Sequence, residues 1–329
     1  MTPIASHVTA FLRERLPEQC AASPNTCDSY TYALKLLFEY AAERLGTTPS
    51  ALTLEQLDAP LILEFLALLE RDRGNSPRTR NARLAAIKSF MHFIEYREPV
   101  LLDQVRRVLA IPAKRTDERL VEHLSVSQIQ VLLETPSDAT CDGIRDRAMI
   151  HLCFAAGLRV TELVTLPLAA VTLQGEPTVR VIGKGRKERC LPLWKPVAMD
   201  LRAWLQVRPA VAAMELFLNA RGGPMTRAGF EYLLRKHVAA TARSSPLLRG
   251  KHITPHTLRH SCAMTILQAT GDVRKVSLWL GHADIKTTQV YLRADSTENL
   301  DAMEKVVPPS LRRGRFRAPD KLIASLMNR

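Results

Sequence analysis

Six polar residues between positions 159 and 291 of this 329-residue chain interrupt regular hydrophobic patterns, and their types suit one kind of chemistry. Arg159 follows Gly157 in GLRVTEL. Lys184 lies between two glycines at the tip of a hairpin pattern, VIGKGRKERCLPL. His256 and Arg259 stand three apart in TPHTLRH near a helix start, so they share a face. His282 follows Gly281 in WLGHAD, and Tyr291 comes nine residues later in TTQVYL. Together they form a kit for a phosphodiester. Guanidinium forks match non-bridging phosphate oxygens in a bidentate manner and stay charged at any ordinary pH. Histidines exchange protons near neutrality, and a tyrosine hydroxyl can be a covalent nucleophile. Singly, each residue has a bland reading. Arg159 is then a surface charge, Lys184 a solubility residue, His256 and His260 helix-cap histidines, and Tyr291 a core aromatic. Their joint occurrence argues for chemistry.

These residues need elements to hold them. Ser125 with Gln128 three residues on is a capping-box pattern that opens a helix. Thr140–Ala156 reads as an amphipathic helix ended by Gly157 as its C-cap. Residues 178–182 alternate, the run 183–187 turns, and 189–193 return, which is a hairpin. Helices are expected at Lys195–Val207, Thr226–Ala242, Thr257–Ala269, Val273–Leu280, Ile285–Arg293 and Thr297–Val306. Ser244–Lys251 reads as a loop. In the first half, Tyr30–Leu45 carries a helical apolar stripe. Leu54–Leu69 is a second helix with a break near Pro60. Ser76 and Pro77 cap a third, with Leu84, Ile87, Phe90 and Met91 at helical spacing. The fold class is therefore mainly α with a small antiparallel β-sheet.

Charge sharpens the functional reading. Lys and Arg number 46 against 33 acidic residues, a net of +13. Residues 1–110 hold 13 of each sign, so the whole excess lies beyond them. Within that neutral part, 71–110 has nine basic and four acidic residues. Arg78, Arg80, Arg83 and Lys88 decorate the third helix, either as a solvated face or as phosphate contacts along a groove. The excess charge calls for a polyanion, with nucleic acid ahead of an anionic membrane. Ile111–His123 has many charges and no apolar period, as expected of a linker.

Other classes lose ground. No stretch approaches the roughly 18–20 apolar residues of a membrane span, and the N-terminus lacks a signal-peptide pattern, so a cytoplasmic, nucleoid-associated protein is expected. The six cysteines form no CxxC pair, which points to reduced, buried thiols. No HExxH, GxGxxG or GxxxxGK[ST] string occurs. Aromatic residues are only 5%, which disfavours a single-strand binder built on stacked bases.

The strings GLRVTEL, VIGKGRKERCLPL, TPHTLRHSCAMTIL and LGHADIKTTQVYL resemble the tyrosine recombinase, or phage integrase, family, most closely its Xer-type and mobile-element members. The resemblance is strong over about 125–305 and weaker over 25–110. It implies a two-domain clamp: a helical, SAM-like core-binding domain at 1–110, a linker at 111–123, a catalytic domain at 124–307 and a basic tail at 308–329. Tyr291 would attack the scissile phosphate and form a 3′-phosphotyrosyl link. Arg159 and Arg259 would hold that phosphate, and Lys184 would protonate the leaving 5′-oxygen. His256 would serve as general base or proton relay, His282 would bond the phosphate, and Glu162 would orient an active-site group. Arg186 and Lys187 join the expected DNA contacts. No cofactor and no metal is implied. The implied partner is double-stranded DNA with specific sites, held by a homotetramer, with or without a partner recombinase. Thr297–Val306 would dock on a neighbouring protomer or pack in cis. A type IB topoisomerase-like relaxing enzyme and a non-catalytic DNA-binding accessory protein are the alternatives. The tail arginines Arg312, Arg313, Arg315 and Arg317 depart from the compact Xer pattern, so a mobile-element integrase stands beside a chromosome-dimer resolvase.

Overall fold

A computed structural model describes residues 1–117, 121–183, 187–281, 288, 291 and 292. The chain divides into two compact units, residues 1–118 and 119–329. The helices expected at 285–293 and 297–306 fall on residues outside the described set, apart from Thr288, Tyr291 and Leu292.

The first unit is all helical. It runs α1 (Ile4–Ala10), a wider π-type run (Phe11–Gln19), α2 (Pro24–Leu45), α3 (Ala59–Arg71), α4 (Pro77–Arg97) and α5 (Leu102–Leu109). Cap chemistry sets the boundaries. Ser23, Asp58 and Ser76 each accept a backbone N–H of the following turn, and a proline within that turn has no N–H to satisfy. The helix expected from Tyr30 thus begins earlier, at Pro24. The one expected from Leu54 is a short 3-10 turn, Leu54–Gln56, followed by α3 with Pro60 in its first turn. Phe11, Leu37, Ile62, Phe65, Ile87 and Phe90 are buried in one core. Phe11 and Phe90 meet edge to face, 5.4 Å between centroids, the arrangement that ring quadrupoles favour.

The stretch after α5 stays with this unit. Ile111 belongs to its core. Arg80 Nη1 donates to the Pro112 carbonyl at 3.0 Å, and Asn81 Nδ2 donates to the Lys114 carbonyl at 2.7 Å. Lys114 Nζ pairs with Glu70 at 2.7 Å.

The second unit contains α6 (Val126–Leu133), α7 (Cys141–Ala155), α8 (Val160–Val164) and strands β1 (Val171–Thr172), β2 (Thr178–Ile182) and β3 (Glu188–Pro192). It continues with α9 (Lys195–Val207), α10 (Arg227–Ser244), α11 (Pro255–Thr270) and α12 (Val273–Leu280). The sheet is antiparallel in the order β1-β2-β3, with Val181 opposite Arg189 and Val179 opposite Leu191. Helix α7 is mostly buried, with Ala148, Met149, Leu152 and Cys153 in the core of the unit. Across it, the buried Asp146 accepts from Arg145 Nη2 at 2.7 Å and pairs with His237 Nε2 of α10 at 2.8 Å. Ser261 Oγ of α11 accepts the backbone N–H of Leu124, tying the start of the unit to the site helix.

All six cysteines are free. Cys153 and Cys262 are buried as expected, but Cys20, Cys141 and Cys190 are exposed. Cys20 lies just past the run Phe11–Gln19, Cys141 opens α7, and Cys190 takes an outward position on β3, so none is enclosed. Among the described residues, no helix is long and apolar enough to cross a membrane.

Candidate active site

The site grows from the end of α7. Gly157 adopts φ +57, the left-handed conformation that ends the helix. A Cβ there would lie 2.5 Å from Leu280 Cδ2 and 3.1 Å from Cys262 Sγ, so glycine also permits α7, α11 and α12 to meet. The chain then turns outward, and Arg159 stands just before α8. Glu162, three residues on, accepts the Arg159 backbone N–H at 3.0 Å and Arg159 Nη1 at 2.7 Å. The carboxylate thereby caps the helix and fixes the guanidinium with the same two oxygens.

Glu162 gathers further cations. Arg189 of β3 donates Nη2 to Oε2 at 2.8 Å and Nη1 to Oε1 at 3.4 Å. Arg259 of α11 stands 3.9 Å away. Burial alone would raise the Glu162 carboxyl, but hydrogen bonds from Arg189 and Arg159 hold it below its ordinary value. Three guanidiniums thus share one carboxylate, which leaves an uncompensated positive charge. Such a surplus in a buried place is costly unless an anion arrives.

Arg259 is 4% exposed, and beside its long ion pair with Glu162 its hydrogen bonds go to two carbonyls. Its Nη1 donates to Gly157 O and its Nη2 to Leu280 O, the latter at 2.8 Å. Trp279 Nε1 donates to Ala155 O at 3.1 Å, which pins α12 beside the end of α7. Burial, then repulsion from Arg159, lowers Arg259 to about 10, so it remains cationic at neutral pH.

Helix α11 also carries the histidines. Thr254 caps it, accepting from Thr257 N at 3.2 Å, and Pro255 occupies the first turn. His256 is exposed. Its pKa is lowered by partial burial and then by Arg259, Arg227 and Arg159. His260 lies one turn further, its ring centroid 6.4 Å from that of His256. His260 Nδ1 is 2.8 Å from the hydroxyl of Tyr291. Tyr291 is 2% exposed and belongs to the core of the unit. Burial pushes its phenol up to about 12, against a downward pull from Arg259 and Arg159.

Arg159, Glu162, His256, Arg259 and Tyr291 therefore converge. Lys184, Arg186 and His282 lie outside the described residues. Lys187 is exposed, and its carbonyl accepts Gly183 N at 2.8 Å to close the hairpin. In the first unit Arg78 is exposed. Arg80 is buried against Pro112 O, Arg83 lies over the Tyr32 ring at 4.7 Å, and Lys88 Nζ donates to Leu109 O at 2.6 Å. Two participants lie outside the six residues singled out from the sequence, where His260 has only the helix-cap reading. Arg189 alternates with Leu191 and Leu193 along its strand, and that period places it on the inner face. His260 stands four residues after His256, hence on the same helix face.

Comparison with known proteins places the whole chain. Residues 122–298 match the phage integrase family, and residues 8–98 match its N-terminal SAM-like domain. The chain belongs to the phage integrase family. It is a tyrosine-type site-specific recombinase. It is 40% identical to the integrase/recombinase y4rC of Sinorhizobium fredii, over 98% of this chain and 97% of that one. It is 33% identical to the tyrosine recombinase XerC of Pelobacter propionicus, over 94% and 97% of the two chains. In fold the recombinase is similar to the XerH site-specific recombinase bound to palindromic difH substrate. That match has TM-score 0.68 and 24% identity, covering 86% of this chain and 80% of that one. The Tn1549 transposon integrase in complex with transposon right end DNA also matches in fold, with TM-score 0.68 and 17% identity over 91% and 99% of the chains.

Proposed function

We propose that this recombinase breaks and rejoins duplex DNA at specific sites through a covalent bond to Tyr291. The Tyr291 oxygen attacks the scissile phosphorus, the bond from phosphorus to the 5′-oxygen breaks, and a 3′-phosphotyrosyl link replaces it. The phenolic proton passes to a histidine of α11, and the leaving 5′-oxygen takes a proton from Lys184. Arg159 and Arg259 hold the non-bridging oxygens and stabilise the charge that builds on them. His282 adds a hydrogen bond. A second DNA 5′-hydroxyl then reverses the step, so the bond energy is kept. Arg78, Arg186 and Lys187 would contact duplex phosphates, and four protomers would hold two sites.

The observation that carries this reading is the shared Glu162 anchor. It presents Arg159 beside Arg259, with their charges felt at Tyr291. The relatives support DNA as the partner, since XerH and the Tn1549 integrase are both described bound to it.

The test is covalent capture. The protein is mixed with nicked duplexes tiling the DNA on either side of its gene, and SDS-stable adducts are sequenced. Wild type should capture a discrete site, and Tyr291→Phe should capture nothing. Indiscriminate relaxation of supercoiled plasmid would point to a topoisomerase-like enzyme. Absence of any adduct would leave a binding protein.

A further inference from the structure

We propose that His260, and not the neighbouring His256, accepts the phenolic proton of Tyr291 during cleavage and returns it during rejoining. This rests on the function proposed above.

The first ground is contact. A general base must lie within hydrogen-bond reach of the proton that it takes. His260 Nδ1 is 2.8 Å from the Tyr291 hydroxyl, and the two ring centroids are 5.6 Å apart. His256 sits one turn nearer the helix start and is exposed.

The second ground is protonation state. Burial, then the charges of His256, Arg259 and His123, lowers His260 to about 4. At neutral pH its ring is therefore uncharged. With the phenol donating to Nδ1, the ring proton sits on Nε2, a tautomer assigned from this bond. The resting proton stays on tyrosine, whose hydroxyl is raised by burial and influenced by Arg259, Cys262 and Arg159. Transfer is driven by the reaction. As the oxygen bonds to phosphorus it loses its affinity for the proton. The arriving phosphate also offsets the arginine charges that disfavour an imidazolium.

The balance is complete without a further reagent. One O–P bond forms and one breaks, the tyrosine proton moves to Nδ1, and the 5′-oxygen is protonated from the acid side. In rejoining, the imidazolium returns its proton to the departing phenolate.

The third ground is fixed geometry. His260 is in the second turn of α11, next to Arg259, whose two carbonyl bonds lock that turn. Base and phosphate clamp are therefore adjacent residues on one rigid element.

The experiment uses the duplex that wild type captures covalently, made with an ordinary phosphate and with a bridging 5′-phosphorothiolate. A thiolate leaves without protonation, so the second substrate masks losses on the acid side. His260→Ala should form adduct about 100-fold or more slowly on both substrates, within the range of a lost general base. Added imidazole should restore at least about tenfold. His260→Asn keeps an acceptor for the tyrosine hydroxyl but cannot hold a proton at neutral pH, so it should be as slow as the alanine variant. Duplex binding and circular dichroism should match wild type for both variants. Recovery by His260→Asn, or a defect that vanishes on the phosphorothiolate, would overturn the assignment. Failure of wild type to form any adduct would instead overturn the function on which it rests.

Discussion

Arg189 reaches Glu162 from β3, its Nη2 2.8 Å from Oε2, while Arg159 Nη1 holds Oε1 at 2.7 Å. The carboxylate is thus saturated by residues from two different elements. The β2–β3 hairpin is tied by this ion pair to the loop that presents Arg159. A surface pair contributes little, because water competes for both partners. This pair is enclosed, with side chains 9% and 5% exposed, so losing one partner strands the other.

Glu162→Gln should therefore destabilise the second unit by about 3–5 kcal/mol, the usual cost of breaking a buried ion pair from one side. Urea unfolding measures it. Adduct formation should also fall, because Arg159 loses its tether, while duplex affinity should hold or rise as a negative charge is removed. A change below about 1 kcal/mol would show that water already screens the cluster.

Gly157→Ala is expected to damage the site through the backbone. The left-handed conformation costs a residue with a Cβ about 1–2 kcal/mol. The added carbon would also meet Leu280 Cδ2 at 2.5 Å. Moving either group displaces Gly157 O or Leu280 O, the two carbonyls that hold Arg259. Cleavage should fall by more than stability alone explains, measured as adduct formation at a temperature where both proteins are folded.

Much of this site was legible in sequence, because its parts sit at cap positions. Gly157, Thr254 and Gly281 end or begin helices, and such residues announce themselves. The strands β2 and β3 were legible from alternation. The two-residue β1, the five-residue α8 and α1 were not, since elements that short give no period. Arg189 was overlooked because a charge in a strand is read as outward unless its apolar neighbours are counted. The roles of Arg80 and Lys88 lay beyond sequence altogether. Their partners are the carbonyls of Pro112 and Leu109, and a carbonyl has no residue type.

Arg78 and Arg80 should accordingly behave as opposites. Arg80→Ala removes a buried guanidinium from Pro112 O and leaves Glu70, 4.0 Å away, with less charge to face. It should cost the first unit about 1.5–3 kcal/mol, the range for hydrogen bonds to charged groups. Arg78→Ala should change stability by less than about 0.5 kcal/mol, as exposed sites usually do. If Arg78 contacts phosphate, its loss should reduce the salt dependence of duplex binding by about one ion. Chemical denaturation and a salt titration of binding separate the two residues.

Stability should also carry the signature of His260 between neutral and acid pH. The folded ring is lowered from 6.5 to about 4 by burial, with His256, Arg259 and His123 adding to it. An unfolded His260 takes up its proton as pH falls through about 6.5, whereas the folded one resists until about 4. The unfolded state therefore binds more protons across that window, and stability must decline as pH falls. Above 6.5 the contribution of the neutral ring is intact, and it is spent by about pH 4. His260→Asn has no such proton to take. In urea unfolding measured from pH 7.5 to about 4.5, wild type should thus lose stability relative to His260→Asn steadily as pH falls. Parallel curves would show that the folded ring titrates normally, and they would remove the neutral acceptor facing Tyr291.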